Sequence, residues 1–264
     1  MSVVLYEKRG RVVHITMNRP EKLNAINEEM RDGLQKAWVD FREDDDLWVA
    51  ILAGNGKAFC TGADFVANRP AEVAPIRPGP PPKSRRAFSA AIQSHPASFE
   101  VWKPIIAALH GYVYGAGLWL ALGCDMLVAA EDAKFGIPEP RFGRPTTFAP
   151  LLLDYLPLPI ANELLLWGDP ITAERACQLG LVNKVVSSEE LMPTAIKLAE
   201  RMCENGPLAV RTAKEVIQRC REIPSYEGKM ALMESVFLRV MESEDIKEGV
   251  SAFKEKRKPV WKGR

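Results

Sequence analysis

The first half of the chain alternates short blocks of apolar, β-branched residues with longer stretches in which apolar residues recur at helical spacing. The blocks predict strands, and the longer stretches predict helices. In chain order we expect strands over 3–7, 12–17 and 47–53 with a helix from 24 to about 41, then a strand over 105–109, a helix over 115–122 and a strand over 126–130. This alternation predicts an α/β fold with buried parallel strands at its centre.

From Leu156 onward the pattern is helical, with little strand signal. We expect helices over 160–167, 172–179, 191–205, 207–220, 226–241 and 244–256. Thr172 is a predicted N-cap, and Ser188 is predicted to lead a helix with Glu189 and Glu190 in its first turn. The chain thus divides into a core over 1–200 and a helical region over 201–264, whose apolar faces suggest packing on a neighbouring subunit.

A proline-rich stretch over 67–84 separates the two strand-and-helix units. Its six prolines leave few backbone donors for regular structure, which predicts a mobile surface loop. Such a loop is either a plain connector or the border of a functional site, because long loops inside compact domains often carry function.

The composition is that of a globular protein, with 47% of the 264 residues apolar and 26% charged. The 35 Lys and Arg against 34 Asp and Glu leave a net charge of +1, so no bulk field draws the chain to nucleic acid or to an anionic membrane. No apolar run reaches the roughly 18 residues that span a bilayer, and the first ten residues lack the core of a signal peptide. We therefore expect a cytoplasmic protein with neither nucleic-acid nor membrane partners.

Cysteine and histidine are scarce, which limits disulfide and metal chemistry. The five cysteines form no C-x-x-C pair, and the three histidines form no H-E-x-x-H motif. An odd number of unpaired thiols fits a reducing compartment. We expect no protein-bound metal, because the ligand supply is too small.

Two turns rich in small residues, over 58–64 and over 110–117, stand at predicted strand-to-helix junctions. Small residues allow backbone N–H groups to converge on an oxygen that develops negative charge. Neither turn matches the glycine pattern of a dinucleotide-binding fold or of a phosphate-binding P-loop, which argues against those two functions.

These turns, together with other segments, resemble the crotonase superfamily, whose best-known members are the enoyl-CoA hydratases and isomerases. The segments are 18–25 (NRPEKLNA), 58–64 (AFCTGAD), 111–117 (GYVYGAG), 124–125, 135–139 (FGIPE), 180–182 and 248–256. They occur in the family's order over nearly the whole chain. The resemblance implies a spiral of ββα units with a C-terminal helical subdomain, coenzyme A thioesters as ligands, no prosthetic group, and a homotrimer or a dimer of trimers.

The resemblance also implies an oxyanion hole, in which the backbone N–H groups of Ala63 and Ala116 hold the thioester oxygen. Each such donor is worth about 3 kcal/mol of barrier when negative charge develops on that oxygen. Ala116 stands where the family usually has glycine, a change that keeps the N–H and adds a methyl group.

The acid/base pair is where this sequence departs from the hydratases. The second of their two glutamates matches Glu139, but the first falls on Trp119, whose indole has no acid/base capacity. Glu139 is thus the single carboxylate expected to act in catalysis, unless it is merely a solvated loop residue. The acyl pocket is expected to be lined by Trp119, Phe65, Pro138 and Phe148, with a shape altered by the segment 143–148.

The coenzyme is expected to contact residues of the first two motifs and of the last helix. Backbone around Lys22, Leu23 and Ala25 and around Ala58 and Ala63 matches the positions that bind adenine and pantetheine. Phe253 and Lys256 match positions that reach a neighbouring subunit's nucleotide, through stacking on adenine and charge on phosphate. For Lys256 a solvated, basic helix end is the alternative.

Three further residues near these motifs are given structural roles. Asp64 is expected to cap a helix that comes after it. Cys60 is not expected to be a nucleophile, because no base lies nearby in sequence. His110 is expected to be a buried residue at a strand end.

The function predicted is that of an enzyme acting on unsaturated acyl-CoA, by hydration, dehydration or a double-bond shift, which the residues do not rank. The alternatives are a non-catalytic acyl-CoA binder or another reaction of the superfamily, such as decarboxylation or thioester hydrolysis. RNA binding is disfavoured by the neutral charge and by the lack of interleaved aromatic and basic residues.

Overall fold

The computed structural model describes residues 2–64, 94–146 and 148–264. Its strands are β1 (Val4–Arg9), β2 (Val12–Met17), β3 (Val49–Gly54), β4 (Ile105–Leu109), β5 (Tyr112–Tyr114), β6 (Met126–Ala130), β7 (Lys134–Gly136), β8 (Ile171–Thr172) and β9 (Lys184–Val186). Its α-helices are α1 (Glu28–Glu43), α2 (Ala116–Leu122), α3 (Leu158–Asn162), α4 (Ala173–Gln178), α5 (Leu191–Cys203), α6 (Pro207–Cys220), α7 (Tyr226–Met241) and α8 (Glu244–Glu255). A π-helical turn, Glu163–Trp167, comes directly after α3.

A six-stranded sheet in the order β1-β2-β3-β4-β6-β9 forms the centre of the molecule. β1 pairs with β2 antiparallel, and every later pair in this sheet is parallel. Alternate residues of β3 face opposite sides: Ile51 packs towards α5, and Leu52 packs into the larger core. Burial on both faces explains why the central strands are continuous apolar runs.

The strands β5, β7 and β8 form a second, smaller sheet beside the first. Each has two or three residues, too short for a period-two pattern to appear in the sequence. The predicted helical pattern from Leu156 onward, with its little strand signal, misses two short strands there: β8 in the smaller sheet, and β9, which extends the main sheet along β6.

Local chemistry sets the helix boundaries, and two of the predicted starts are wrong. α1 begins at Glu28 rather than at 24, because Leu23 and Asn24 adopt left-handed backbone angles and the Asn27 side chain caps the helix. α5 begins at Leu191, after a turn that holds Ser188, so Glu189 and Glu190 precede the helix instead of forming its first turn. Thr172 caps α4 as predicted, accepting a hydrogen bond from the N–H of Arg175.

The helical C-terminal region is tied to the sheet by an ion pair whose side chains are mostly, but not fully, buried. Lys214 of α6 donates to Asp125 at 2.7 Å, and Asp125 also accepts the N–H of Ile105 at the start of β4. Burial raises the pKa of Asp125, and the Lys214 ammonium opposes that rise. The boundary at residue 200 between the core and the helical region stays a prediction. In the described part of the chain, no helix combines the length and the apolar character needed to cross a membrane.

Replacing Lys214 with methionine is expected to lower the free energy of unfolding by about 3 kcal/mol, because the Asp125 carboxylate stays buried without its partner. Urea unfolding measures the change. Lys36→Met, at an exposed position on α1, is the matched control and is expected to stay within about 0.5 kcal/mol of the unchanged protein. Equal losses in the two variants would contradict the role given to the ion pair.

Candidate active site

The two small-residue turns of the sequence meet at one edge of the main sheet. β3 and β4 are parallel neighbours, so the segments that come after them leave from the same edge. Cys60 donates its N–H to Tyr112 at 3.0 Å and accepts the N–H of Tyr114 at 2.9 Å. A Cβ added at Gly62 would lie 3.3 Å from the backbone nitrogen of Ala116, which shows how closely the turns approach.

The segment that contains Ala63 is held from its other side by residues just before α1. Ile26 donates its N–H to the carbonyl of Gly62 at 2.8 Å, and Asp64 donates to the carbonyl of Ile26 at 3.0 Å. In this parallel pairing the N–H of Ala63 is turned away from Ile26. Neither this N–H nor that of Ala116 donates a hydrogen bond to an acceptor among the described residues. Two backbone donors are therefore available on adjoining turns.

Asn24 anchors the segment predicted to contact coenzyme A. Its side chain is fully buried, accepts the N–H of Arg19 at 2.8 Å and donates to the carbonyl of Ala58 at 2.8 Å. Lys22, Leu23 and Ala25 are thereby held beside the turn that carries Ala58 and Ala63, so the structure brings these five predicted residues together.

Asp64 forms an ion pair with Arg19 at 3.1 Å, and both side chains are about nine-tenths buried. Arg19 also donates to the carbonyl of Ala25. The pair fastens the Ala63 turn to the segment before α1. The helix that Asp64 was predicted to cap would begin outside the described residues.

Glu139 lies shortly after β7 and opens a 3₁₀ helix that runs to Phe142. Its carboxylate lies directly against Gly115, where a Cβ would overlap it. One carboxylate oxygen, Oε2, is buried and has no hydrogen-bond partner among the described residues. Burial raises the pKa of Glu139, while a hydrogen bond from its own backbone N–H and the charge of Arg144 act in the opposite direction. The carboxylate is therefore only partly open to solvent, and its catalytic role stays a prediction.

The raised pKa of Glu139 gives a stability prediction. The folded protein keeps this proton at pH values where the unfolded chain, with a carboxyl of ordinary pKa near 4.5, has lost it. Stability is therefore lost as the pH rises above about 4.5 through the folded pKa. Glu139→Gln removes that loss. The free energy of unfolding of the variant, compared with that of the unchanged protein, is therefore expected to be higher at neutral pH than at pH 4. Urea unfolding across this range measures the difference, and a constant difference would contradict the assignment.

Trp119 lies in the middle of α2, and its burial agrees with a packing and pocket-lining role. The indole stacks on the ring of Phe148, with centroids 5.6 Å apart, and on that of His95, at 4.1 Å. It is 8% exposed, and its Nε1 has no hydrogen-bond partner in the part of the chain that the structure describes. Pro138 adjoins Glu139, whereas Phe65 and the stretch 67–84 lie outside the described residues.

His95 is a residue of this site that sequence reasoning missed, because it carries no motif and its neighbours in sequence give no regular pattern. Burial lowers its pKa to about 3, so the ring is neutral at physiological pH. Its Nδ1 accepts the N–H of Ala97 at 3.2 Å, which leaves the proton on Nε2. The imidazole thus acts as a neutral stacking partner of Trp119.

The remaining predicted residues lie at the edges of this site or on the last helix. Burial raises the pKa of the Cys60 thiol to about 12, so it is no nucleophile at neutral pH. His110 is only half-buried, with Nε2 3.0 Å from the carbonyl oxygen of Gly56, so the expectation of a buried ring is wrong. Phe253, 86% exposed, lines an apolar cavity of about 580 Å³ between α6 and α8, and Lys256 is exposed at the end of α8.

Comparisons with known proteins agree with this fold. Residues 7–264 match the family described as enoyl-CoA hydratase/isomerase. The carnitinyl-CoA dehydratase of Salmonella typhi is 38% identical over 263 residues, which cover 97% of each chain. The crystal structure of enoyl-CoA hydratase from Mycobacterium tuberculosis H37Rv has a TM-score of 0.88 at 38% identity and covers all of both chains. That of an enoyl-CoA hydratase/isomerase from Mycobacterium paratuberculosis has a TM-score of 0.90 at 32% identity, over 99% of each chain.

The architecture is that of the crotonase superfamily, so the predicted fold class and the resemblance are confirmed. The chain belongs to the enoyl-CoA hydratase/isomerase family. The prediction of a lyase or isomerase type of enzyme is confirmed with it. The roles of individual site residues stay predictions.

Proposed function

We propose that this protein hydrates and dehydrates acyl-CoA thioesters with Glu139 as its single acid/base group. The observation that carries the proposal is the Glu139 carboxylate held against Gly115, with its Oε2 buried and unpaired among the described residues, next to the turn that bears the Ala116 N–H. Burial raises the pKa of Glu139, which makes the carboxylate a better proton acceptor than an exposed glutamate. The similarity to carnitinyl-CoA dehydratases over 97% of the chain supports a reaction that removes or adds water.

In the dehydration direction, Glu139 removes the proton from C2 of the acyl group, and the C–H electron pair becomes the enolate. The N–H groups of Ala63 and Ala116 hold the enolate oxygen. The C3–O bond then breaks, the leaving hydroxide takes the proton back from Glu139, and water and the enoyl thioester result. Hydration is the reverse sequence.

A double-bond shift is the second candidate, and Trp119 is the observation that favours it. The indole has no acid/base capacity, and moving a proton between two carbons requires only one base. Glu139 would remove a proton at one carbon and return it at another, without any water.

A panel of enoyl-CoA and 3-hydroxyacyl-CoA thioesters, incubated with the protein and monitored by mass spectrometry, tests the proposal. We expect products that differ from the substrate by the mass of one water. Products of unchanged mass with a moved double bond would support the shift. Binding without any turnover would overturn both and support a binding protein.

The assembly is proposed to be a homotrimer or a dimer of trimers, in which α8 reaches the coenzyme A of a neighbour. The exposure of Phe253 on an apolar cavity supports this, because large exposed apolar surfaces commonly mark interaction sites. Phe253→Ala is expected to raise KM for a coenzyme A thioester several-fold with little change in kcat, since adenine stacking contributes to binding alone. Tyr226→Ala, also at an exposed helical aromatic, is the control, and an equal KM in the two variants would contradict the role.

A further inference from the structure

Three side chains lie in a row along one face of α2, and only the middle one, Trp119, belongs to that helix. Glu139 lies against Gly115 at the start of the helix, Trp119 stands one turn further on, and His95 covers Gly123 after the last turn. Residues four apart lie on the same face of a helix. Trp119 is therefore flanked by the carboxylate on one side and by a neutral imidazole on the other.

The indole N–H in this row is a buried donor without an acceptor among the described residues, as is the Nε2–H of His95 at the far end of the row. Trp119 is more than nine-tenths buried, and the stacking contacts with His95 and Phe148 engage the faces of the ring rather than the N–H at its edge. A buried donor left without a partner destabilises a protein, so natural structures nearly always satisfy such groups. An acceptor supplied by the bound substrate would satisfy this one.

The helix geometry indicates where on the substrate that acceptor would lie. Side chains on an α-helix lean back towards its N-terminus, so Trp119 leans towards the turn that holds the Ala116 N–H and Glu139. Residues 116 and 119 are separated by about 4.5 Å along the helix axis. A substrate with its thioester oxygen at Ala116 and its C2 at Glu139 therefore has its C3 on the side of the helix where Trp119 lies.

We propose that Trp119 binds an oxygen substituent on C3 of the acyl group through its Nε1–H, so that the preferred ligands are 3-hydroxyacyl thioesters. This inference rests on the proposed function. A donor at this place holds the hydroxyl oxygen of the substrate and strengthens its hydrogen bond as negative charge builds up during C–O cleavage. The indole N–H donates a hydrogen bond to the substrate oxygen, whereas a second carboxylate at this position would accept hydrogen bonds from a water molecule.

The test measures binding without turnover, in a Glu139→Gln background. Isothermal calorimetry compares butyryl-CoA with each enantiomer of 3-hydroxybutyryl-CoA. In Glu139→Gln we expect the better enantiomer to bind about 2- to 10-fold more tightly than butyryl-CoA, the range of one neutral hydrogen bond. Adding Trp119→Phe, which keeps a ring for stacking and removes the N–H, is expected to abolish that preference and to leave butyryl-CoA binding within about twofold.

Trp102→Phe in the same background is the matched control, since Trp102 lies near Arg219 of α6 and outside the row on α2. It is expected to leave the preference intact. Absence of a preference in Glu139→Gln itself overturns the inference and needs no second substitution. A preference that survives Trp119→Phe, or an equal loss of affinity for both thioesters, overturns it too. Failure of the unchanged protein to turn over any member of the thioester panel would instead contradict the proposed function.

Discussion

Glu139→Gln is expected to lower turnover by about 1,000- to 10,000-fold while a saturated acyl-CoA binds with nearly unchanged affinity. General acid/base groups contribute about 100- to 10,000-fold, and the loss of a sole base belongs at the upper end of that range. Glutamine keeps the shape of the side chain against Gly115 but accepts no proton at neutral pH. Binding survives because it is assigned to the backbone donors and to the coenzyme moiety.

The measurement is turnover of the best panel substrate, with calorimetry of the matching saturated thioester. Glu131→Gln, an exposed position in the turn before β7, makes the same chemical change away from the site and is expected to leave turnover unaltered. Retention of more than about a tenth of the rate in Glu139→Gln would show that another group moves the proton.

Gly115→Ala is expected to reduce turnover at least about 100-fold, through displacement of the Glu139 carboxylate. Gly115 has a φ of +51° and a ψ of −119°, a backbone conformation that strains a residue with a Cβ by roughly 1–3 kcal/mol. The new methyl group would also occupy the position of the Glu139 carboxylate. Misplacing a catalytic group by about 1 Å costs on the order of 100-fold in rate.

Gly180→Ala separates these two effects. Gly180 also has a positive φ, of +78°, but a Cβ there meets nothing within 4 Å. In urea unfolding Gly115→Ala is expected to lose at least as much stability as Gly180→Ala, because it adds an overlap to the backbone strain, whereas only Gly115→Ala loses turnover. Equal rates in the two variants would contradict the placement of Glu139 at Gly115.

Much of the main sheet could be predicted from the sequence, because its strands are buried on both faces. β2, β4 and β6 have the bounds that the apolar blocks predicted. The smaller sheet could not, since β5 and β7 have three residues each and are defined by pairing with each other. The start of α1 was missed because the left-handed backbone at Leu23 and Asn24 depends on contacts with the distant residues Asn55 and Ala58.

The sequence by itself determined which chemical groups the candidate site of this protein contains. It supplies one carboxylate at 139, an indole where the hydratases have their other glutamate, and two small-residue turns. The tertiary structure alone decided that the Oε2 of Glu139 is buried and unpaired among the described residues, that His95 stacks on Trp119, and that Asn24 fastens the segment beside Ala58. The physical reason is that burial and pairing are set by residues far apart in the chain, and these raise a pKa or leave a donor unpaired without any local pattern.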